Sequence, residues 1–209
     1  IERFQLLVKN FPQSNMARRA ANEVGLLYYQ DDKYPEAIAA YKNVIKNYPG
    51  SEEARLAQRD LKSIYIDLNQ VDEYANYAST ISGGVNFDVN ERDSLTYVAA
   101  ERVYMRGETA QAKESFTRYL QTFPEGAFSL NANYYMGLIE YSQKNYAQAS
   151  GYLDKVLEYP ANKYSEEARA MSAEMAYTAQ NYENALENYT HLREQAATAE
   201  RRQLAETGM

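Results

Sequence analysis

Catalysis needs a nucleophile or an acid–base pair held in a water-poor pocket, and this 209-residue chain offers few residues for either. It has no cysteine, which excludes thiolate chemistry, disulfides and Cys-based zinc sites. Its one histidine, His191, cannot build a multi-His metal site. His191 adjoins the apolar Leu192 and reads as the outward neighbour of a core position. The remaining candidates are adjacent carboxylates: Asp31-Asp32, Glu52-Glu53, Asp72-Glu73 and Glu166-Glu167. Each pair falls in a turn or the first turn of a helix, where neighbouring side chains point different ways. Capping and solvation account for them better than paired catalysis does. No P-loop, dinucleotide fingerprint or EF-hand loop is present. Enzymatic activity, cofactors and bound metal are therefore not expected.

Charge narrows the partners. There are 22 Lys and Arg against 29 Asp and Glu, a net charge of -7. That balance disfavours nucleic acid, because neutralising phosphates takes clustered basic residues. No apolar run approaches the ~20 residues of a membrane span. The unusual count is 21 Tyr. With only 9 Gly and 5 Pro as punctuation, long helices are expected to carry those rings.

The elements are set by a repeat. An aromatic precedes proline at Phe11-Pro12, Tyr48-Pro49, Phe123-Pro124 and Tyr159-Pro160, with gaps of 37, 75 and 36 residues. The missing middle mark falls near Phe87. Thirteen residues after each mark stand Gly25, Lys62, Ala100, Gly137 and Ala173. Twenty-five residues after it stand Ala37, Tyr74, Ala112, Ala149 and Ala185. Apolar residues follow at i+4 and i+7, as in Ala37, Tyr41 and Val44, which is one face of a helix. The spacing predicts pairs of helices crossing closely at their small residues. The turns within each pair are short and polar, as in Gln30-Asp31-Asp32-Lys33 and Gln143-Lys144-Asn145. Proline ends each second helix by disfavouring helical geometry in the residue before it. Asn188-Tyr189-Thr190 fits a glycosylation sequon, but Tyr189 occupies a core position and the match reads as chance.

These residues resemble the tetratricopeptide repeat (TPR) pattern: a small residue in the first helix, Ala opening the second, an aromatic four residues on, and Pro at the end. The resemblance implies an all-α, right-handed α-solenoid of TPR-like antiparallel helix hairpins. It runs along essentially the whole chain. The lengthened Pro49-Gly50-Ser51-Glu52-Glu53-Ala54 junction, with Tyr119 to Pro124 and Asn133 to Gly137, is similar to bacterial envelope TPR proteins. Those include the Tol-Pal-associated periplasmic TPR protein and the BamD-type outer-membrane assembly lipoprotein. That likeness implies a periplasmic or outer-membrane-associated setting, with the cytoplasm as the alternative.

The expected units are 13–50, 51–88, 89–125, 126–161 and 162–197. Residues 1–12 read as the second helix of a truncated repeat, and 198–209 as the start of a further repeat or a capping helix. Such ends imply a piece of a longer array. The 51–88 unit is degenerate, with Lys62 and Tyr74 at small positions and Ala78 at the aromatic one. Two readings stay open there: local repacking by exchanged volumes, or a change of curvature at residues 82–92. Ser51-Glu52-Glu53-Ala54-Arg55 and Ser165-Glu166-Glu167-Ala168-Arg169 read as two instances of one capping chemistry.

By the TPR resemblance, first helices line a concave groove. Its positions include Asn22, Leu26, Tyr29 and Gln30; Arg59, Ser63, Ile66 and Asp67; Tyr97, Glu101, Tyr104 and Met105. They continue with Tyr134, Leu138, Tyr141 and Ser142, then Ala170, Glu174, Tyr177 and Thr178. Tyr29, Tyr104, Tyr141 and Tyr177 occupy one fixed place. The partner-binding candidates are therefore Tyr29, Gln30, Tyr97, Glu101, Tyr104, Tyr134, Tyr141 and Tyr177. Tyr suits peptide recognition, because it offers apolar area, few rotamers and a polar tip. The competing reading is that these rings close the helix stack. Arg59 is the lone basic residue at these positions, so a clamp for acidic chaperone tails is not expected. The reading is a protein–protein interaction scaffold for a peptide or helix of a partner, in bacterial envelope assembly. Its alternatives are a structural spacer and a binder of glycan or peptidoglycan fragments.

Overall fold

The computed structural model describes residues 1–81 and 87–209, and all regular structure among them is helical. Two compact units divide the chain, residues 1–87 and 88–209. The first holds α1 (Glu2–Asn10), α2 (Asn15–Gln30), α3 (Tyr34–Asn47), α4 (Glu52–Asp67) and α5 (Val71–Thr80). The second holds α6 (Val89–Met105), α7 (Thr109–Thr122), α8 (Ser129–Ser142), α9 (Tyr146–Glu158), α10 (Ser165–Thr178), α11 (Tyr182–Gln195) and α12 (Ala199–Gly208). Within each unit, consecutive helices pack against one another. This is an all-α, TPR-like fold of helix hairpins.

Small residues set how closely the helices of a pair approach. A Cβ on Gly25 of α2 would lie 2.7 Å from the Tyr41 ring of α3. A Cβ on Gly137 of α8 would lie 2.5 Å from Leu153 Cδ2 of α9. The layers around these crossings are Tyr41, Val44 and Leu61 in the first unit, and Phe116, Tyr119 and Leu153 in the second, all fully buried. Interdigitation at near-crystalline density makes such positions intolerant of added volume.

One turn geometry closes the hairpins. Asp32, Asn69, Gly107, Lys144 and Gln180 all have φ between 57° and 79°. In each turn the next residue's N–H reaches back to the carbonyl five residues earlier, as Lys33 N does to Tyr28 O at 2.9 Å. Asn145 N reaches Glu140 O in the same way, also at 2.9 Å. This is the Schellman arrangement, which satisfies carbonyls left open at a helix end. At the other end of the hairpins, Phe11, Tyr48, Phe123 and Tyr159 are the C-caps of α1, α3, α7 and α9. Each directly precedes a proline, as the sequence spacing requires.

Ser51 caps α4 by accepting a hydrogen bond from Ala54 N at 3.1 Å. Ser165 differs from the expected parallel. It is the buried first residue of α10, and its Oγ accepts from Asn162 N at 2.9 Å inside the preceding loop. The longer Pro160–Ser165 junction displaces the serine from the cap, so the shared Ser-Glu-Glu-Ala-Arg string folds in two ways.

The degenerate α4–α5 pair is repacked by exchanged volumes. Tyr74 is buried where Ala is usual, and its ring lies 5.8 Å from Tyr65 and 5.5 Å from Phe87. Ala78 supplies the compensating small side chain and is buried. Lys62 stays half-buried, its ammonium 5.2 Å from the centre of the Phe87 ring. Much of the segment considered for a curvature change, residues 82–86, lies outside the described residues. In α1 no residue is buried, and Phe4 and Phe11 are exposed. In α12 Gly208 lies against the Tyr189 ring of α11.

Candidate functional site

The tyrosines singled out by the repeat divide by burial. In the first unit, Tyr29 of α2 is half-buried, and its hydroxyl donates to Asp67 Oδ2 of α4 at 2.6 Å. Burial, reinforced by that carboxylate, pushes its pKa up to about 12. Its ring lies 6.0 Å from Tyr34 across the turn. Gln30 is exposed at the end of α2.

In the second unit, Tyr97 and Tyr134 are buried rather than presented to a partner, at 3% and 7% exposure. Tyr97 of α6 stacks on Phe128, the N-cap of α8, at 4.6 Å. Tyr134 of α8 stacks on Tyr164, the N-cap of α10, at 4.0 Å. These are two copies of one packing device. The junction after each proline folds its aromatic cap over the ring of the preceding first helix. Burial raises the pKa of both phenols, with Glu101 and Glu167 respectively adding to it.

Glu101 of α6 is half-buried and collects two phenols. Tyr97 donates to its Oε1 at 2.6 Å and Tyr135 of α8 at 3.3 Å. Burial first, then Glu101, lifts Tyr135 to about 12. This carboxylate therefore ties two first helices together.

Tyr104, Tyr141 and Tyr177 remain available. Tyr104 and Tyr141 are half-buried, and Tyr177 is 58% exposed. Tyr104 lies 4.8 Å from Tyr135. Tyr141 pairs with Tyr146 at 5.8 Å and Tyr177 with Tyr182 at 5.7 Å. Burial and the Glu174 carboxylate raise the Tyr141 phenol above its ordinary value. Tyr34, Tyr146 and Tyr182 were not among the candidates. Their signal is a five-residue spacing, Tyr29–Tyr34, Tyr141–Tyr146 and Tyr177–Tyr182, each straddling a hairpin turn. The resulting rings, with Glu174 exposed beside them, offer flat apolar area edged by acceptors. Such a surface suits apolar or cationic side chains better than anions.

The candidates for acid–base work stay dispersed. His191 is half-exposed, 4.0 Å from Glu187 and 3.9 Å from Glu194 on its own helix. Among the described residues no three His, Cys, Asp or Glu side chains converge as a metal site would need.

Residues 24–51 match the tetratricopeptide repeat family. That stretch contains Gly25, Ala37, Tyr41, Val44 and the Tyr48-Pro49 mark. No curated protein sequence matches the chain. Similar solved structures include PilF of Pseudomonas aeruginosa, 16% identical, with 92% of this chain and 97% of that one covered at a TM-score of 0.49. PilW, described as a type IV pilus biogenesis factor, is 18% identical over 93% of this chain and 87% of its own, at a TM-score of 0.43. RapI in its apo form is 16% identical over 99% of this chain and 67% of its own, at a TM-score of 0.48. Among the described residues no helix is long and apolar enough to cross a membrane.

Proposed function

We propose that this chain is a non-enzymatic scaffold that binds a peptide or helix of a partner protein on the first helices of residues 88–209. Its repeat units are those read from the proline marks, 89–125, 126–161 and 162–197, preceded by 13–50 and 51–88. One observation carries the reading: Tyr104, Tyr141 and Tyr177 occupy the same place on α6, α8 and α10 and keep part or most of their rings exposed. Tyr97 and Tyr134 leave the binding set and support it from beneath. The Pro-Gly-Ser-Glu-Glu-Ala junction supports a role in bacterial envelope assembly, facing the periplasm.

The spacer reading has its own support, because Tyr29 and Tyr135 spend their hydroxyls on carboxylates of adjacent first helices. A random peptide library displayed on phage and selected against the chain separates the two. Peptides enriched on the wild type should bind Tyr141→Ala plus Tyr177→Ala at least ~10-fold more weakly, a loss of about 1.4 kcal/mol, with helicity retained. If the double variant instead melts, or if no peptide is enriched, the rings are structural and the scaffold reading fails. Saturable binding of muropeptides, lost in the same variant, would favour the glycan reading.

A further inference from the structure

A second candidate site lies within the first unit. The second helices α3 and α5 and the start of α4 enclose a pocket of 490 Å3. Its lining includes the apolar Ile45, Pro49 and Ile81, and its polar groups include Lys42, Lys46 and Gln58. Among the described residues no Asp or Glu lines it, although the chain as a whole carries a net charge of -7. Of the two first-turn carboxylates of α4, Glu52 is paired with Arg55, and neither it nor Glu53 lines the pocket.

Lys46 is exposed, whereas Lys42 is half-buried and set differently from an ordinary surface lysine. The Lys42 ammonium sits 4.5 Å from the centre of the Tyr77 ring and 5.5 Å from that of Tyr65. Two ring faces hold its position without neutralising its charge. Neither Lys42 nor Lys46 is ion-paired with a carboxylate among the described residues. Two ammoniums one helical turn apart, beside apolar lining residues, define a ligand that is anionic at one end and apolar at the other. The volume is that of a small-molecule or side-chain site, larger than a bare oxyanion fills. Two lysines are too few to track a nucleic acid backbone.

We propose that this pocket binds a partner-protein segment bearing a carboxylate beside an apolar residue. The proposal does not depend on the tyrosine face, which lies on other helices and favours the opposite charge. Charge complementarity selects the occupant, and Ile45, Pro49 and Ile81 take its apolar side chain.

The test titrates the blocked peptide Leu-Glu-Glu-Leu into the whole chain and follows backbone amides by NMR. Saturable shifts should appear at Gln58 and Tyr77. Affinity should fall about tenfold in Lys42→Gln plus Lys46→Gln, and also on raising salt, while Lys42→Arg plus Lys46→Arg keeps most of it. Circular dichroism of each variant separates lost binding from lost folding. The proposal is overturned by absent or non-saturating shifts, by equal shifts with Leu-Lys-Lys-Leu, or by insensitivity to the glutamine pair. Inorganic phosphate producing the same shifts at similar concentration also overturns it, because the pocket is then a general oxyanion site.

Discussion

Tyr97 and Tyr104 stand two turns apart on α6, yet Tyr97 is buried under Phe128 and Tyr104 keeps part of its ring exposed. The difference comes from what the next junction places over each ring. The same junction meets a buried carboxylate of α6. Asp93 is buried on α6, where its carboxylate accepts hydrogen bonds from the Tyr119 hydroxyl and from Ala127 N at 2.7 Å. Tyr119 Oη in turn accepts from Phe128 N at 3.1 Å. Gly126 permits this approach, since a Cβ there would lie 2.6 Å from the Tyr119 hydroxyl. Replacing Asp93 with Ala would leave the Tyr119 hydroxyl and the Ala127 N–H without their acceptor. We expect Asp93→Ala to lower stability by about 2–4 kcal/mol in urea unfolding. Tyr119→Phe should cost less, about 1 kcal/mol, because Asp93 keeps its bond to Ala127 and only the part-buried Phe128 N–H loses its acceptor. Equal costs for the two changes would contradict this assignment. No motif advertises Asp93, because its partners are a residue on the next helix and a backbone amide beyond it.

At the scale of the helix pair, five turns share one conformation and only one uses the residue best suited to it. Gly107 adopts φ 79°, whereas Lys144 and Gln180 hold 61° and 59°. Side chains disfavour this left-handed region by about 1 kcal/mol or somewhat more. We therefore expect Lys144→Gly to stabilise the chain by about 0.5–1 kcal/mol, and Gly107→Ala to destabilise it by about 1 kcal/mol. The check is the urea midpoint at constant slope. If Lys144→Gly weakens the chain, the loss of unfolded-state restriction outweighs the relief of strain. The turns were legible as short polar breaks, since polarity and length are local. Their left-handed residue was not, because Asp, Asn, Lys and Gln there carry no common side-chain signature.

Across the molecule, the tyrosine surplus sets a response to alkaline pH. Tyr29 and Tyr135 are lifted to about 12, and Tyr41, Tyr97, Tyr119, Tyr134 and Tyr141 are raised as well, burial being the largest cause in every case. An unfolded tyrosine titrates near 10. Because the folded values are higher, the unfolded chain releases these protons first as pH rises. The contribution to stability is complete below about pH 10 and is lost as pH climbs through about 10–12. Thermal unfolding should show a Tm that these residues leave unchanged up to about pH 9 and that falls steeply above 10. Tyr97→Phe should flatten the fall, because it removes one buried proton from the count. A Tm insensitive to pH up to 12 would mean the rings are hydrated in the folded chain.

Along the sequence, the repeat period, the small crossing positions and the proline ends of helices are readable, because each depends on residue size or backbone restriction within one or two helices. Gly25 against Tyr41 and Gly137 against Leu153 are instances. The sequence also exposed the exchanged volumes at Tyr74 and Ala78, though not that Tyr74 would pack on Phe87. Tertiary structure alone decided which equivalent tyrosines are covered. Tyr97 and Tyr104 both satisfy the groove pattern, and the Phe128 cap of the following helix stacks on Tyr97. It alone gathered Lys42, Gln58 and Tyr77 from three helices into one pocket. Side-chain type and spacing are properties of a segment, whereas burial and convergence depend on the neighbouring segment that folds over it.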